Sequence, residues 1–208
     1  FWFPTICFAM TLEEKVGQLL IVHFKGETPN EEARTMVQEV HVGGIIYYNW
    51  ANGLHNPAQV AHLSQELQKW ATIPLFISAD QEGGRVQRLK EGFTSYPSNK
   101  EVGKTHRPEY AKEVALQIAH ELRSVGINLN FAPVVDIVSE GHVSPINDRS
   151  FGSNPEEVAL FGQAAVDGYL EAGVIPVLKH FPGHGDADAD SHEALPVLRK
   201  TLEEIEKG

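Results

Sequence analysis

The segment from Lys179 to His192, KHFPGHGDADADSH, concentrates ionisable side chains between glycines and a proline. Three histidines, three aspartates and a lysine stand within fourteen positions. The apolar run IPVL just before it is typical of a short buried strand. Because parallel α/β folds build their sites where strands end, this spacing predicts an active-site loop.

Two pairs within this loop suggest roles. Lys179 and His180 begin where the apolar run ends, and two adjacent ionisable groups at one strand end favour a ligand contact over simple structural satisfaction. Asp190 and His192 stand two residues apart in a Gly-rich stretch. A carboxylate that orients an imidazole fixes its tautomer for acid–base catalysis, so His192 is predicted to transfer protons.

A second segment, SADQEGGRVQRL at 78–89, places Asp80 and Glu82 at the end of another apolar run, ahead of Arg85 and Arg88. Mixed carboxylate and guanidinium groups bind vicinal sugar hydroxyls well, although a surface ion-pair loop is the alternative. The Gly pair lacks the following Lys-Ser/Thr of a phosphate-binding loop.

A third segment, INDRSFG at 146–152, offers Asp148 and Arg149 ahead of a helix start at 153–155. By itself it is typical of a structural turn. We consider it part of a site only because it occurs together with the other two segments.

The same residues must be weighed as metal ligands. The D-x-D-x-D run at 186–190 resembles a calcium loop, but Ser191 and Val197 stand where that pattern needs Gly and Glu. No H-E-x-x-H or Cys pair suits zinc. We therefore expect neither a metal nor a cofactor.

Length, composition, net charge and cysteine count limit the class of protein. The 208 residues are 42% hydrophobic, and a net charge of −11 argues against nucleic acid or an anionic membrane as the main partner. The single cysteine, Cys7, forms no internal disulfide, and no apolar window spans a membrane. We expect a cytoplasmic protein. Residues 1–9 are an N-terminal extension of uncertain status, and their apolar texture leaves export open.

Apolar runs alternate with helical patterns along the chain. This rhythm predicts a parallel α/β sheet. The predicted strands are 18–24, 43–48, 73–80, 127–136 and 174–181, and the predicted helices are 30–40, 57–71, 108–125 and 155–172. Polar residues follow three of these strands, at Asp80, Asp136 and Lys179, which favours a (β/α)8 TIM-like barrel over an open sheet with one switch point.

Five strands correspond to about five of the eight β/α units of such a barrel. We therefore expect residues 10–208 to be the N-terminal part of a barrel that is incomplete here. Its open strand edges should pair with the missing C-terminal segment or with a second copy.

The motifs together resemble glycoside hydrolase family 3, in particular its β-N-acetylglucosaminidase (NagZ-like) branch. The matching pieces occur in family order and cover nearly the whole chain: MTLEEKVGQLL at 10–20, GGII at 43–46, ADQEGGRVQRL at 79–89, NLNFAPVVD at 128–136, NDRSFG at 147–152 and KHFPGHGDADADSH at 179–192. The resemblance implies retaining removal of terminal β-linked N-acetylglucosamine from carbohydrates such as muropeptides, in peptidoglycan recycling.

The resemblance also implies roles for individual residues. His192 would be the general acid/base with Asp190 as its orienting partner. The sugar in the −1 subsite would be held by Asp80, Arg88, Arg149, Lys179 and His180. The family's nucleophilic aspartate lies in a later segment that has no counterpart here, so we expect the isolated chain to be inactive. An N-acetylglucosamine-binding module and a β-N-acetylglucosaminide phosphorylase are the alternatives.

Overall fold

A computed structural model describes residues 10–187, 189, 192–197, 201 and 203. Its centre is a five-stranded parallel sheet whose spatial order follows the chain. The strands are β1 (Ile21–Val22), β2 (Gly44–Ile46), β3 (Phe76–Ala79), β6 (Leu129–Asn130) and β7 (Ile175–Pro176). All five lie inside the predicted strands, in the order that successive units of a β/α barrel require.

A two-stranded antiparallel hairpin stands apart from this sheet. It comprises β4 (Gln81–Gly83) and β5 (Val86–Gln87) and directly follows β3. Gly83, the last residue of β4, and Gly84, the first residue of the turn, have φ of 98° and 57°, values that favour glycine. The predicted pattern did not contain this hairpin.

Helices connect the strands. They are α1 (Leu12–Gly17), α2 (Glu31–Gln38), α3 (Asn49–Asn52), α4 (Pro57–Trp70), α5 (Asn99–Gly103), α6 (Pro108–Ser124) and α7 (Pro155–Glu171). The four predicted helices correspond to α2, α4, α6 and α7, whereas α1, α3 and α5 are short additions. A turn of 3-10 helix covers Asn147–Arg149.

Three of the longer helices, α2, α4 and α7, begin where the sequence supplies an asparagine cap, whereas Arg107 before α6 makes no side-chain cap hydrogen bond. The side chains of Asn30, Asn56 and Asn154 accept hydrogen bonds from backbone N–H groups three residues on, at 2.8–3.0 Å. Pro57 and Pro155 directly follow two of these caps. The backbone N–H at the first helical position has no partner within the helix, so a proline there costs no hydrogen bond. These signals fix the helix starts and therefore the lengths of the loops that carry the site.

The core lies between the sheet and the helices that cross it. Ile45 and Ile77 are register partners on adjacent strands, and both are fully buried. Leu67 of α4 and Leu122 of α6 are buried in the same cluster. This apolar packing holds the strands in register, so the loops after them share one edge of the sheet.

The outer strands of the described sheet keep apolar side chains in solvent. Ile21 of β1, Ile175 of β7 and nearby Leu178 are each more than a third exposed. An edge of this kind has unpaired backbone groups and apolar side chains available to a further strand. Within the described residues, none of the helices combines the length and apolar character that crossing a membrane requires.

Candidate active site

Charged side chains converge at the carboxyl end of the sheet. Each is delivered by a segment that follows a strand of the sheet: the β3 end and hairpin, the loops after β6, and the loop after β7. The cluster, which we call the charged network, consists of Asp80, Glu82, Arg88, Asp136, Arg149, Lys179 and His180.

Lys179 lies between two carboxylates of the charged network. Its Nζ is 2.8 Å from Oδ1 of Asp80 and 2.6 Å from Oε1 of Glu82. All three side chains are largely buried, so each charge needs the others to offset its loss of hydration. The ammonium group is therefore held in one position rather than sampling the rotamers of a surface lysine.

Glu82 also binds Arg149 through both carboxylate oxygens. Arg149 Nε is 2.8 Å from Oε2, and its Nη2 is 2.8 Å from Oε1. Burial lowers the pKa of Arg149, but the hydrogen bonds and negative charge of Glu82 outweigh burial and raise it overall. Glu82 thus connects the segment after β3 to the 3-10 turn at 147–149 and to the loop after β7.

Asp80 is the second carboxylate that binds Lys179. Burial raises its pKa, but the positive charges of Lys179 and Arg88 prevail, and its pKa lies below the ordinary value. Arg88 is the looser partner, with Nη2 3.4 Å from Oδ2 of Asp80. Its backbone N–H donates to the side chain of Gln81 in β4, which fixes the chain while leaving the guanidinium partly exposed.

His180 is oriented from both ring nitrogens. Its Nδ1 is 2.5 Å from Oδ2 of Asp136, and its Nε2 is 3.3 Å from Nη2 of Arg149. Since the guanidinium can only donate, this geometry suits the neutral tautomer with the proton on Nδ1. The other oxygen of Asp136 accepts from the backbone N–H of His184 at 2.6 Å. Burial raises the pKa of Asp136, yet these hydrogen bonds lower it overall.

The charged network contains three carboxylates, two guanidinium groups and one ammonium group, so the charges nearly balance. Such a set suits a neutral polyol, whose hydroxyls both donate and accept, better than it suits a polyanion. Because the side chains are already held by one another, a sugar would meet preorganised groups.

The five residues predicted to bind substrate, Asp80, Arg88, Arg149, Lys179 and His180, therefore lie in one network. His192 lies in a solvent-exposed turn of the loop after β7. Its predicted partner Asp190 lies outside the described residues, so the predicted Asp190–His192 pairing stays a prediction.

Three participants were not assigned by the sequence. The sequence indicated Glu82 only as a member of the mixed acid and base segment 78–89 and Asp136 only as a polar residue after a strand, and His184 contributes a backbone N–H. The one available signal was the recurrence of carboxylates after consecutive strands. In the part of the chain that the structure describes, no group of three or more His, Cys, Asp or Glu residues is placed to hold a metal ion.

Comparison with known proteins assigns a family. Residues 11–208 match the model of the glycosyl hydrolase family 3 N terminal domain. The beta-hexosaminidase A of Pseudoalteromonas piscicida is 40% identical over 94% of this chain and 37% of its own length. The beta-hexosaminidase of Thiobacillus denitrificans is 38% identical over 91% of this chain and 54% of its own length.

Solved structures agree. A glycoside hydrolase family 3 beta-N-acetylglucosaminidase from Paenibacillus sp. superposes with a TM-score of 0.90 at 47% identity, over 95% of this chain and 38% of that one. NagZ from Neisseria gonorrhoeae, in complex with N-trifluoroacetyl-D-glucosamine, gives a TM-score of 0.84 at 34% identity, over 90% of this chain and 57% of that one. This chain thus spans between a third and three fifths of these relatives. It belongs to glycoside hydrolase family 3 and forms part of that family's TIM-barrel-like α/β N-terminal domain.

Proposed function

We propose that the protein to which these residues belong is a retaining exo-β-N-acetylglucosaminidase that acts on terminal β-linked N-acetylglucosamine, including that of muropeptides. The observation that carries the proposal is the charged network, in which Lys179 joins Asp80 to Glu82 at the carboxyl end of a parallel sheet. The names of the relatives, beta-hexosaminidase and beta-N-acetylglucosaminidase, support the same substrate class.

In this proposal the charged network is the subsite for the terminal sugar. Asp80 accepts hydrogen bonds from ring hydroxyls, while Lys179, Arg88 and Arg149 donate to hydroxyl or amide oxygens of the sugar. Charge-assisted hydrogen bonds of this kind are the stronger class. His180, held between Asp136 and Arg149, presents a fixed ring edge to the same sugar.

His192 is the proposed general acid/base, with Asp190 as its orienting partner. In the first step its imidazolium protonates the glycosidic oxygen as a carboxylate attacks the anomeric carbon, which breaks the glycosidic bond and releases the alcohol. In the second step the neutral imidazole takes a proton from water as water attacks the anomeric carbon, releasing the sugar and the carboxylate. The attacking carboxylate is not assigned to any residue of this chain.

The test is the reaction of the full-length protein with aryl β-N-acetylglucosaminide, followed by proton NMR. We expect the β-anomer of N-acetylglucosamine to appear first, and little reaction with the matching β-glucoside. Lys179→Ala should lose most of this activity, whereas Lys69→Ala, which removes an exposed lysine of α4, should not.

Other outcomes would support one of the alternative functions. Sugar 1-phosphate formed only with added inorganic phosphate would identify a phosphorylase. Binding of N-acetylglucosamine without turnover would identify a binding module. An α-anomer as the first product would contradict the retaining mechanism.

A further inference from the structure

Three aromatic rings lie together where β1 and β2 end. Tyr48 and Trp50 stack with ring centroids 5.4 Å apart at 21°, and His23 packs edge-on against both, at 5.8 Å from Tyr48 and 5.0 Å from Trp50. We call this group the aromatic platform. Trp50 is 66% exposed, so much of its indole lies in solvent.

The aromatic platform adjoins the charged network through Arg88. The guanidinium carbon of Arg88 lies 5.7 Å from the centroid of Tyr48, and the same guanidinium contacts Asp80 at 3.4 Å. Asn49, between the two aromatic residues in sequence, donates its side-chain N–H to the carbonyl oxygen of Arg88. The contacts therefore run from Asp80 through Arg88 and Tyr48 to Trp50, from the buried network towards solvent.

The electrostatics of Tyr48 agree with this adjacency. Burial raises the pKa of the Tyr48 phenol, and the negative charge of Asp80 raises it further. Tyr48 is thus the half-buried, inner member of the platform, and Trp50 is its exposed outer member.

An exposed indole that neighbouring rings hold in place, beside a polar site, is well suited to stack on a sugar ring. In a β-linked gluco-configured pyranose the ring substituents are equatorial, so each face of the ring presents axial C–H bonds. These carry a small positive polarisation that complements the negative face of an aromatic ring. Because Tyr48 and His23 already hold Trp50, binding would not first have to order it.

We propose that the aromatic platform is the subsite for the second sugar ring, on the leaving-group side of the scissile bond. The inference rests on the proposed function, in which the charged network holds the terminal sugar. Since that reaction removes the terminal unit, any neighbouring ring lies on the leaving-group side. The preferred substrates are then oligosaccharides in which the unit next to the terminal N-acetylglucosamine is also a pyranose.

Calorimetry on the full-length protein tests this directly. The two ligands are N-acetylglucosamine and a thio-linked analogue of N,N′-diacetylchitobiose, which glycosidases do not cleave readily. We expect the disaccharide to bind more tightly than the monosaccharide. Trp50→Ala should weaken disaccharide binding by about tenfold, the size of a strong aromatic contact, and change monosaccharide binding by less than about twofold.

Two further variants serve as controls. Trp50→Phe should keep most of the preference for the disaccharide because it retains an aromatic face. Leu160→Ala, which truncates an exposed apolar side chain on α7, should change neither affinity.

Three results would overturn the proposal. In the first, Trp50→Ala weakens both ligands equally, which would place Trp50 in the terminal-sugar subsite. In the second, the variant lowers the melting temperature without changing the disaccharide preference, which would mean that another part of the protein covers the indole. In the third, the wild-type protein shows no preference for the disaccharide. Failure to hydrolyse oxygen-linked chitobiose, with the binding preference intact, would instead contradict only the proposed function.

Discussion

Arg149 and Glu82 face each other as a bidentate ion pair, although 67 positions separate them in the chain. Lys179 completes the arrangement by binding the same carboxylate at 2.6 Å. One buried carboxylate thus pairs with two cations that come from two different loops, and Asp80 supplies Lys179 with a second countercharge. Glu82 is therefore expected to matter for the stability of the fold as well as for the shape of the site.

Glu82→Gln should reduce the free energy of unfolding by about 3 kcal/mol, because it leaves two buried cations without their shared countercharge. The matched control is Asp148→Asn, since Asp148 pairs with Arg85 through a similar acid–arginine contact that is much more exposed, with 34% and 53% of the two side chains in solvent. That change should cost less than about 1 kcal/mol. Urea unfolding followed by circular dichroism measures both. Equal losses would show that Glu82 is not a structural centre of the network.

The pH dependence of stability should follow Asp136 and Asp80. Both have a pKa below the ordinary value of 3.8, so both stabilise the fold fully above that value and lose this contribution as pH falls through the lowered pKa. We expect the free energy of unfolding to start to fall as the pH drops below about 4 and to go on falling down to the lowered pKa values, because over that range the unfolded chain binds protons at these carboxylates and the folded chain does not.

Asp136→Asn isolates one of the two carboxylates. It should flatten this decline and lower stability at pH 7, because His180 and the His184 N–H lose a charged acceptor. Glu39→Gln, at an exposed position after α2, should follow the wild-type curve. A decline in the Asp136 variant as steep as that of the wild type would mean that this carboxylate does not drive the acid response.

The position of the loop after β7 depends on a glycine. A Cβ at Gly185 would lie 1.8 Å from the carbonyl oxygen of Ile137, closer than any real contact. One residue on, the carboxylate of Asp186 accepts hydrogen bonds from the backbone N–H and the hydroxyl of Ser139, both at 2.8 Å. The loop that carries His180 and His192 therefore lies directly on the segment after β6.

Gly185→Ala should displace this loop and lower kcat/KM of the full-length enzyme by more than about tenfold, since a loop misplaced by about 1 Å costs that much or more. Gly152→Ala is the control, because a Cβ there meets nothing within 4 Å. Steady-state kinetics measures the activity, and hydrogen exchange at 183–187 separately measures how firmly the loop packs on the segment after β6. Unchanged exchange and unchanged activity in Gly185→Ala would show that the close approach is not needed.

The predicted strands, helices and barrel-type order were right because each rests on local signals: apolar runs, asparagine caps and N-terminal prolines. The five residues predicted to bind sugar lie in one network, and strand ends and the family motifs mark them in the sequence; their sugar-binding role stays a prediction. The pairing of Glu82 with Arg149, and of Asp136 with His180, was not predictable, since these contacts depend on how strands far apart in sequence are ordered in the sheet. The hairpin at 81–87 was missed although the Gly83-Gly84 pair beside its turn is a hairpin signal, because the strands on either side are too short to show alternation.

The proposed proton-transfer role of His192 is tested by varying the leaving group with the full-length protein. His192→Ala should lower kcat/KM most for substrates with poor leaving groups, because these need a proton as the glycosidic bond breaks. Activated aryl glycosides should lose less in the glycosylation step, although slow breakdown of the intermediate can still limit their turnover. Asp190→Asn should give a milder form of the same pattern, since it disturbs the orientation of the imidazole without removing it.

The measurement is kcat/KM across a series of leaving-group pKa values for the wild type and both variants. His62→Ala, which removes an exposed histidine of α4, should leave the series unchanged. For His192→Ala we expect a steeper dependence on leaving-group pKa than in the wild type, because the departing oxygen must then carry its negative charge unaided. A uniform loss across the series would instead assign His192 a binding or structural role, and the proton donor would have to be sought elsewhere.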